Sequence, residues 1–376
     1  MAKATVGKSS NHLQTSEILT DILDRSSIEQ TPFYVTSGHS EYFCRPTCPD
    51  QLSPNSHVRR LDSAWTAIAA GLQPCPRCRP VASSRWRPSW LKSILNRISD
   101  EPARKWNPCD FDEYGLTAPQ LQNWFRSHFG IGFLEFLNIQ KLCETMARFS
   151  SEQTEGQAVT TDGFKAQNTF RNALQEWLGV SFQPTIRSTG EIPISRVNSP
   201  LGSMVIAADE QYLYLLEFAD RSDLASQCRK LTSTAKKRLV PGKSRIMEEV
   251  QRQLNSWFEG KLIKFSLPLF LAGTKFQLAV WNQLIQIDYH QTVSYDCIAR
   301  AIGSPRGQRA VGTAVGANRM AIVLPCHRVI RQNGSLSGYA GGIRRKDWLL
   351  CHEFVSSTPS SAALKTPAAP KASADP

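Results

Sequence analysis

The sequence predicts a multidomain α+β protein, and three observations point there. The chain has 376 residues, a length that suits two to four domains. Its hydrophobic fraction is 41%, enough for most of the chain to bury a core. Its hydropathy pattern changes along the way, from a segment with cysteine pairs, through helical periodicity, to alternating strands, and then to helices with tight turns. The net charge is +12 and the isoelectric point about 9.3, which favours a polyanionic partner. No stretch approaches a membrane-spanning length, so nucleic acid comes before a membrane. A merely solvated basic surface is the bland alternative. The opening MAKATVGKSSNHLQ lacks the apolar run of a secretory signal. Of ten cysteines, four sit at metal-ligand spacing and one in a reactive-looking motif. That usage suits a reducing compartment.

In chain order, residues 1–11 are polar and expected to fray. The first domain spans 12–82 and holds Cys44, Cys48, Cys75 and Cys78. Between the pairs, LDSAWTAIAAG puts Leu61, Ala64 and Ile68 on one helical face, and Gly71 is placed to stop the helix. The second domain, 84–188, is all-helical. Trp86, Trp90, Leu91, Ile94, Leu95 and Ile98 recur at helical spacing. Thr117 can cap the next helix, and Pro119 is tolerated in its first turn. A longer helix follows from about Leu134 to Phe149, then a polar loop at 150–156. The third unit, 190–271, reads as strands over Arg196 to Phe218, with turns at Ser199–Gly202 and Asp209–Gln211, and an amphipathic helix near Ile246 to Phe258. The fourth, 272–355, reads as helices with tight turns. The tail 356–376 is rich in Ser, Ala and Pro and is expected to be disordered.

The densest chemistry is LPCHRVI, with Cys326 between Pro325 and His327. A thiol is a nucleophile only as thiolate. A neighbouring imidazole can take its proton, and a carboxylate can orient the imidazole. Glu353, closing DWLLCHE, is the candidate carboxylate. A buried cysteine in a strand is the commoner fate of such a residue. Upstream, SYDCIARAIG and RAVGTAVGAN read as helix, turn, helix. The second helix is rich in Ala and Gly, poor for helix propensity but good for close approach to a narrow groove. From Arg300 to Lys346 the chain carries nine basic residues, Arg328, Arg345 and Lys346 among them, before any acid. Such a face suits phosphate contacts.

The strings VSYDCIARAIG, RAVGTAVGAN, IVLPCHRVI, GYAGG and DWLLCHE together resemble the O6-alkylguanine-DNA alkyltransferases. The resemblance covers about residues 190–353. It implies a ribonuclease-H-like α/β subdomain followed by a helical alkyltransferase domain with a winged helix-turn-helix. It further implies that Cys326 accepts the alkyl group. His327 would act as a water-mediated base oriented by Glu353, and Asn318 would brace the turn. Tyr295 would crowd the target phosphate, Arg309 would fill the vacated base stack, and Tyr339 would line the guanine pocket. Ala340 stands where some members carry serine, which removes a hydroxyl contact to the guanine oxygen. A thioether has no easy leaving group, so the enzyme would act once, as a methylated-DNA–[protein]-cysteine S-methyltransferase.

Cys44 and Cys48 are three residues apart, Cys75 and Cys78 two, and the pairs 26. Two short cysteine pairs in a small domain most simply bind one tetrahedral Zn2+. YFCRPTCP and AGLQPCPRCRP resemble the zinc domain of Ada-type proteins. That resemblance implies that Cys44 accepts a methyl from a backbone methylphosphotriester, with Arg45, Arg77 and Arg79 near phosphates. The family opens with a tryptophan-led helix, where this chain has SEILTDILDRSS.

LTAPQLQNWFRSHFGIGFLEFLNIQKL resembles the first helix-turn-helix of AraC-type regulators. Its recognition helix, from about Ala118 to Phe129, would offer Gln120, Gln122, Asn123 and Arg126 to the major groove. A second, shortened motif would begin at Asp162. The alternative is a plain helical linker. Together the resemblances imply an Ada-like repair protein that also activates alkylation-response genes. Double-stranded DNA would be its partner, RNA polymerase a further one, and the cytoplasmic nucleoid its place. Repair without regulation is the rival reading. The remaining cysteines, Cys109, Cys143, Cys228, Cys297 and Cys351, are expected to be structural.

Overall fold

The computed structural model describes residues 12–13, 33–37, 40–45, 48, 58–81, 89–101, 104, 106–129, 131–149, 167–178 and 190–357. Expectations for residues 1–11, SEILTDILDRSS, the loop 150–156, the opening of the second helix-turn-helix motif at 162–166 and the tail from 358 fall outside these residues. The architecture is mixed α/β and multidomain.

In the first region β2 (Tyr34–Ser37) and β4 (Val58–Leu61) pair antiparallel, with β1 (His12–Leu13) on the other edge of β4. A short parallel pair, β3 (Tyr42–Phe43) with β5 (Gln73–Pro74), brings the two cysteine pairs to the same end. Helix α1 (Ala64–Ala69) starts where the Ser63 hydroxyl accepts from Thr66 N at 3.0 Å, satisfying one otherwise orphaned donor. Gly71 follows in the left-handed region at φ +85°, as its position suggested.

The helical region comprises α2 (Ser89–Asp100), a 3-10 turn (Pro108–Tyr114), α3 (Ala118–Phe129), α4 (Phe133–Phe149) and α5 (Gln167–Leu178). Thr117 and Gln120 cap α3 reciprocally: Thr117 N donates to Gln120 Oε1 at 2.9 Å, and Gln120 N donates to Thr117 Oγ1 at 3.4 Å. Leu121, Trp124 and Phe125 face inward, and Phe125 packs on Phe133 and Phe136.

Next, β6 (Glu191–Ser199), β7 (Gly202–Ala208), β8 (Leu213–Phe218) and β9 (Arg238–Pro241) form one sheet in the order β8-β7-β6-β9, antiparallel except for β6 with β9. Alternation along β7 sends Met204 and Ile206 to one face and Val205 and Ala207 to the other. The first face is covered by α7 (Arg245–Phe258) through Met247, Val250, Leu254 and Trp257. The second face is covered by α6 (Leu224–Ala235), and its core runs on without a break into that of the helical region. Gln140 on α4 accepts from Ser203 Oγ on β7 at 2.8 Å across this junction.

The last region holds α8 (Lys275–Ile285), α9 (Tyr295–Ala301), α10 (Gln308–Gly316), the short parallel pair β10 (Val293–Ser294) and β11 (Val329–Ile330), and α11 (Ile343–Ser357). One face of α11, with Leu350 and Cys351, shares an apolar cluster with Phe43, Leu61, Trp65 and Ile68 of the first region. There the Asp347 carboxylate accepts from Trp65 N at 2.8 Å and from Ala64 N at 3.4 Å.

The basic run from Arg300 to Lys346 is not one phosphate-facing surface. Arg300, Arg306, Arg309 and Arg331 are exposed, but Arg328, Arg345 and Lys346 are buried. Arg345 forms a two-pronged ion pair with Asp220 at 2.9 and 2.7 Å, and Lys346 donates to Ser337 O at 3.3 Å and to Val329 O. A buried charge needs such partners. The cysteines divide as well: Cys143, Cys228 and Cys351 are core residues, whereas Cys109 and Cys297 are exposed and pack no core. No helix among the described residues is long and apolar enough to cross a membrane.

Candidate active site and metal centre

Cys326 opens a three-residue 3-10 turn, Cys326–Arg328, between α10 and β11. Two anchors fix that turn. Strand β11 pairs with β10, which leads directly into α9. On the other side, β8 grips the approaching loop, with Leu216 N donating to Arg319 O at 2.8 Å and Ala321 N donating to Leu216 O at 2.7 Å. Inside the loop Ile322 is buried at φ +71°. A β-branched residue in the left-handed region costs on the order of 1–3 kcal/mol, so the surrounding packing holds this turn in shape.

Asn318 lies at the centre of the loop. Its Nδ2 donates to Leu324 O and to Cys326 Sγ, each at 3.0 Å, and its Oδ1 accepts from Met320 N at 2.9 Å. Burial pushes the Cys326 thiol up to about 11, against the lowering effect of the Asn318 bond. The resting side chain is therefore a protonated thiol that needs a base.

His327 is fully buried, and its Nε2 lies 2.9 Å from Glu353 Oε1. Burial would raise Glu353, but His327 and Arg328 outweigh it and hold the carboxyl down at about 2. An ionised carboxylate can only accept, so Nε2 carries the proton and Nδ1 presents the lone pair. Burial lowers the imidazole, partly offset by Glu353, which keeps it neutral and able to act as a base. Glu353 also takes two prongs from Arg328 and accepts from His290 N at 3.1 Å. Arg328 in turn donates to Ile287 O at 2.6 Å.

A narrow pocket opens beside Cys326, lined by Tyr295, Gly312, Asn318, Tyr339, Ala340 and Gly341. The Tyr339 hydroxyl is buried without a protein partner, and burial raises it far above the usual tyrosine range, so it stays a donor. Gly341 is needed for close approach: a Cβ there would stand 2.7 Å from Phe218 Cδ2 and 2.8 Å from Tyr339 Cε1. Tyr295 accepts from Ser337 Oγ at 2.9 Å. It also borders a wide surface groove with Gln308, Arg309, Gly312 and Arg331.

Sequence reasoning missed Arg221. It lies in the sheet region, yet it donates to Asn318 O at 2.9 Å and Gly316 O at 2.7 Å while pairing with Glu217. It ties the sheet to the acceptor loop, and Glu217 and Arg221 line the same pocket. Lys346 was counted as a phosphate contact, although its ammonium lies under the site, 6.0 Å from the Tyr295 ring, and burial brings it down to about 8. No local signal separates either residue from a surface charge.

At the other end of the molecule the sulfur atoms of Cys44, Cys48, Cys75 and Cys78 all lie within 4.8 Å of one another. Tetrahedral zinc with Zn–S bonds near 2.3 Å sets its sulfurs roughly 3.8 Å apart, so the residues fit one Zn2+. Burial and the neighbouring thiols push the Cys44 thiol upward. Arg45 N donates to Cys78 Sγ at 3.4 Å. The Arg45 guanidinium, expected near phosphates, turns back onto the carbonyls of Cys78 and Arg79 and joins the two ligand loops. Arg77 and Arg79 are exposed.

On α3 the expected readers divide. Gln120 is used in the cap, and Gln122 Oε1 accepts from Phe133 N at 2.9 Å. Asn123 and Arg126 are exposed.

Three family models match the chain. The metal binding domain of Ada matches residues 18–81, the ribonuclease-like domain of 6-O-methylguanine DNA methyltransferase matches 194–271, and the DNA binding domain of 6-O-methylguanine DNA methyltransferase matches 275–355. The bifunctional transcriptional activator/DNA repair enzyme Ada of Escherichia coli is 29% identical over 320 residues, covering 83% of this chain and 88% of that protein. A methylated-DNA–protein-cysteine methyltransferase of Methanosarcina barkeri is 40% identical, covering 41% of this chain and 92% of that protein. The crystal structure of Mycobacterium tuberculosis O6-methylguanine methyltransferase is 36% identical, with a TM-score of 0.40, covering 45% of this chain and 96% of that one.

Proposed function

The chain belongs to the methylated-DNA–protein-cysteine methyltransferase family, in the Ada-type arrangement that adds a zinc domain, and on that footing we propose that it repairs alkylated double-stranded DNA at two cysteines and reports the damage to transcription. The observation that carries this reading is the buried Cys326 thiol on a rigid turn, next to an imidazole whose far nitrogen is bonded to Glu353.

The alkyl carbon on a guanine oxygen is hidden in the duplex, so the nucleotide must rotate out, at a cost of a few kcal/mol. Helix α10, with Gly312 and Gly316, enters the minor groove. Arg309 fills the vacated stack, and Tyr295 presses on the target phosphate. The base enters the pocket beside Tyr339. His327 Nδ1 takes the proton of Cys326 through a water, and Glu353 stabilises the imidazolium. The thiolate attacks the alkyl carbon, the carbon–oxygen bond breaks with its electron pair on guanine, and the proton held on His327 neutralises the departing base. Cys326 is left as a thioether. Nothing in this chemistry reverses it, so each chain acts once.

Cys44, Cys48, Cys75 and Cys78 hold one Zn2+. When bound, the metal supplies the positive charge that keeps the four thiols ionised. The Cys44 thiolate attacks the methyl carbon of a methylphosphotriester, the carbon–oxygen bond breaks with its electron pair on oxygen, and the phosphodiester anion departs. That removes one negative charge beside DNA and lowers repulsion from phosphates. Helix α3, with Asn123 and Arg126 outward, acts as an AraC-like reader of promoter DNA, and the promoter-bound protein engages RNA polymerase in the cytoplasmic nucleoid.

The test is to incubate the zinc-loaded protein with methylated duplex DNA and map thioethers by peptide mass spectrometry. S-methylcysteine at positions 326 and 44 is expected. Modification at 326 alone removes the phosphotriester role, and an unmodified Cys326 overturns the main reading. Equal affinity of the Cys44-methylated and unmethylated protein for promoter DNA at matched salt would leave repair without regulation.

A further inference from the structure

The two acceptor regions are joined by a contact between residues some 280 positions apart. Asp347 accepts from Trp65 N and Ala64 N at the start of α1. Below that polar contact, Leu61, Trp65 and Ile68 close over Leu350 and Cys351, and Ile330 of β11 joins the same cluster. On a helix advancing about 100° per residue, Asp347, Leu350 and Cys351 share one face. Lys346 and Glu353, seven residues apart, share another, and that one faces the acceptor turn. The zinc domain thus presses on the outside of the helix whose inside supplies Glu353 to His327. Ile330, four residues beyond Cys326, belongs to the same apolar cluster.

We propose that the zinc domain braces the guanine-acceptor site, with Asp347 a positioning residue that fixes α11 and, through it, the Glu353–His327 pair. The proposal rests on the transfer chemistry at Cys326 given above. Its physical basis is that proton transfer depends steeply on alignment. A misplacement of about 1 Å can cost a hundredfold, so a helix freed on one side should work more slowly without unfolding.

Cys351 supplies a built-in reporter, because it is 2% exposed and lies within this contact. In the full-length, zinc-loaded protein its thiol should resist iodoacetamide, as should those of the fully buried Cys143 and Cys228. Removing zinc with a chelator, or introducing Asp347→Ala, should expose Cys351 while Cys143 and Cys228 stay protected, and should speed hydrogen exchange at the amides of Ala64 and Trp65. Each change alone should slow single-turnover transfer to Cys326 by roughly tenfold, and the two together no more than either one. Asp347→Asn, which keeps an oxygen facing Trp65 N, should restore most of the rate. Equal Cys351 labelling in the zinc-loaded wild type and in Asp347→Ala overturns the contact. Exposure of Cys351 with an unchanged transfer rate overturns the brace. A further slowing of the zinc-free protein by Asp347→Ala, measured against zinc-free wild type and as large as the slowing seen with zinc, would mean that Asp347 merely stabilises its own helix, and it too overturns the proposal. If the wild type transferred nothing to Cys326, the transfer reading itself would fail, while the labelling would still report the contact.

Discussion

Under the proposed function, the two cysteine sites would reach a nucleophilic sulfur by opposite routes. Cys326 is a single thiol, buried and held near 11, and it becomes reactive only when a base removes its proton. Cys44 is one of four crowded sulfurs whose ionisation requires a cation. The first arrangement depends on the placement of a carboxylate and an imidazole. The second depends on metal occupancy and hardly at all on a proton relay. Two acceptors built as proposed would fail under different conditions, which a pair of identical sites could not do.

The sharpest way to break this contrast is to disable one site at a time. Cys326→Ser should reduce guanine alkyl transfer by at least roughly a thousandfold, since a serine hydroxyl is a far weaker nucleophile. It should leave zinc content and Cys44 methylation intact, and a parallel loss at Cys44 would show that the sites are not separable. The mirror experiment is chelation. It should abolish methylation of Cys44 while Cys326 stays within about tenfold of its normal rate, the margin set by the brace. Complete loss at Cys326 would place zinc inside the guanine chemistry and collapse the distinction.

Glu353→Gln probes the relay alone. Single-turnover kinetics should show transfer to Cys326 slowed by about a hundredfold, with Cys44 unaffected. Urea denaturation should show a loss of about 3 kcal/mol, because Arg328 remains buried against a neutral amide. The pH dependence follows from the same carboxylate. Its folded value, about 2, lies below the ordinary glutamate value of 4.5. It contributes stability that is fully present above pH 4.5 and is lost as pH falls toward 2, to a total of about 3 kcal/mol. Wild type should lose this increment between pH 5 and 2 in urea midpoints, and Glu353→Gln should not. Matching slopes for the two proteins would contradict the low value. The smallest effect belongs to Arg126→Ala, expected to weaken promoter binding modestly and reduce the salt slope by about one with both cysteine reactions unchanged. An unaltered slope would remove α3 from the DNA contact.

Much of this was legible in the sequence because the relevant signals are local. The Pro-Cys-His-Arg string, the two cysteine pairs, the Thr117 cap and the alternation along β7 each lie within a few residues and act there. What escaped depends on partners far away in the chain. Arg345 reads as one more surface cation until Asp220, 125 residues away, is placed against it. Arg221 gives no hint that its guanidinium will meet the carbonyls of Gly316 and Asn318. Counting charges cannot distinguish a phosphate-facing arginine from one that closes a core. The contact between α1 and α11 was illegible for the same reason: each face alone looks like the ordinary apolar side of a helix.

Gly341 has a consequence for the kind of mutagen a cell could survive. Because this position lacks a methyl group, the ring of Tyr339 can lie back against the sheet beside Phe218. An alanine there would drive the ring forward into the space where an adduct must sit. Methylated bases would be the last to lose repair, and adducts with longer carbon chains the first. The genotoxin spectrum should then narrow in Gly341→Ala through a steric change in the backbone alone, independent of how reactive the sulfur is.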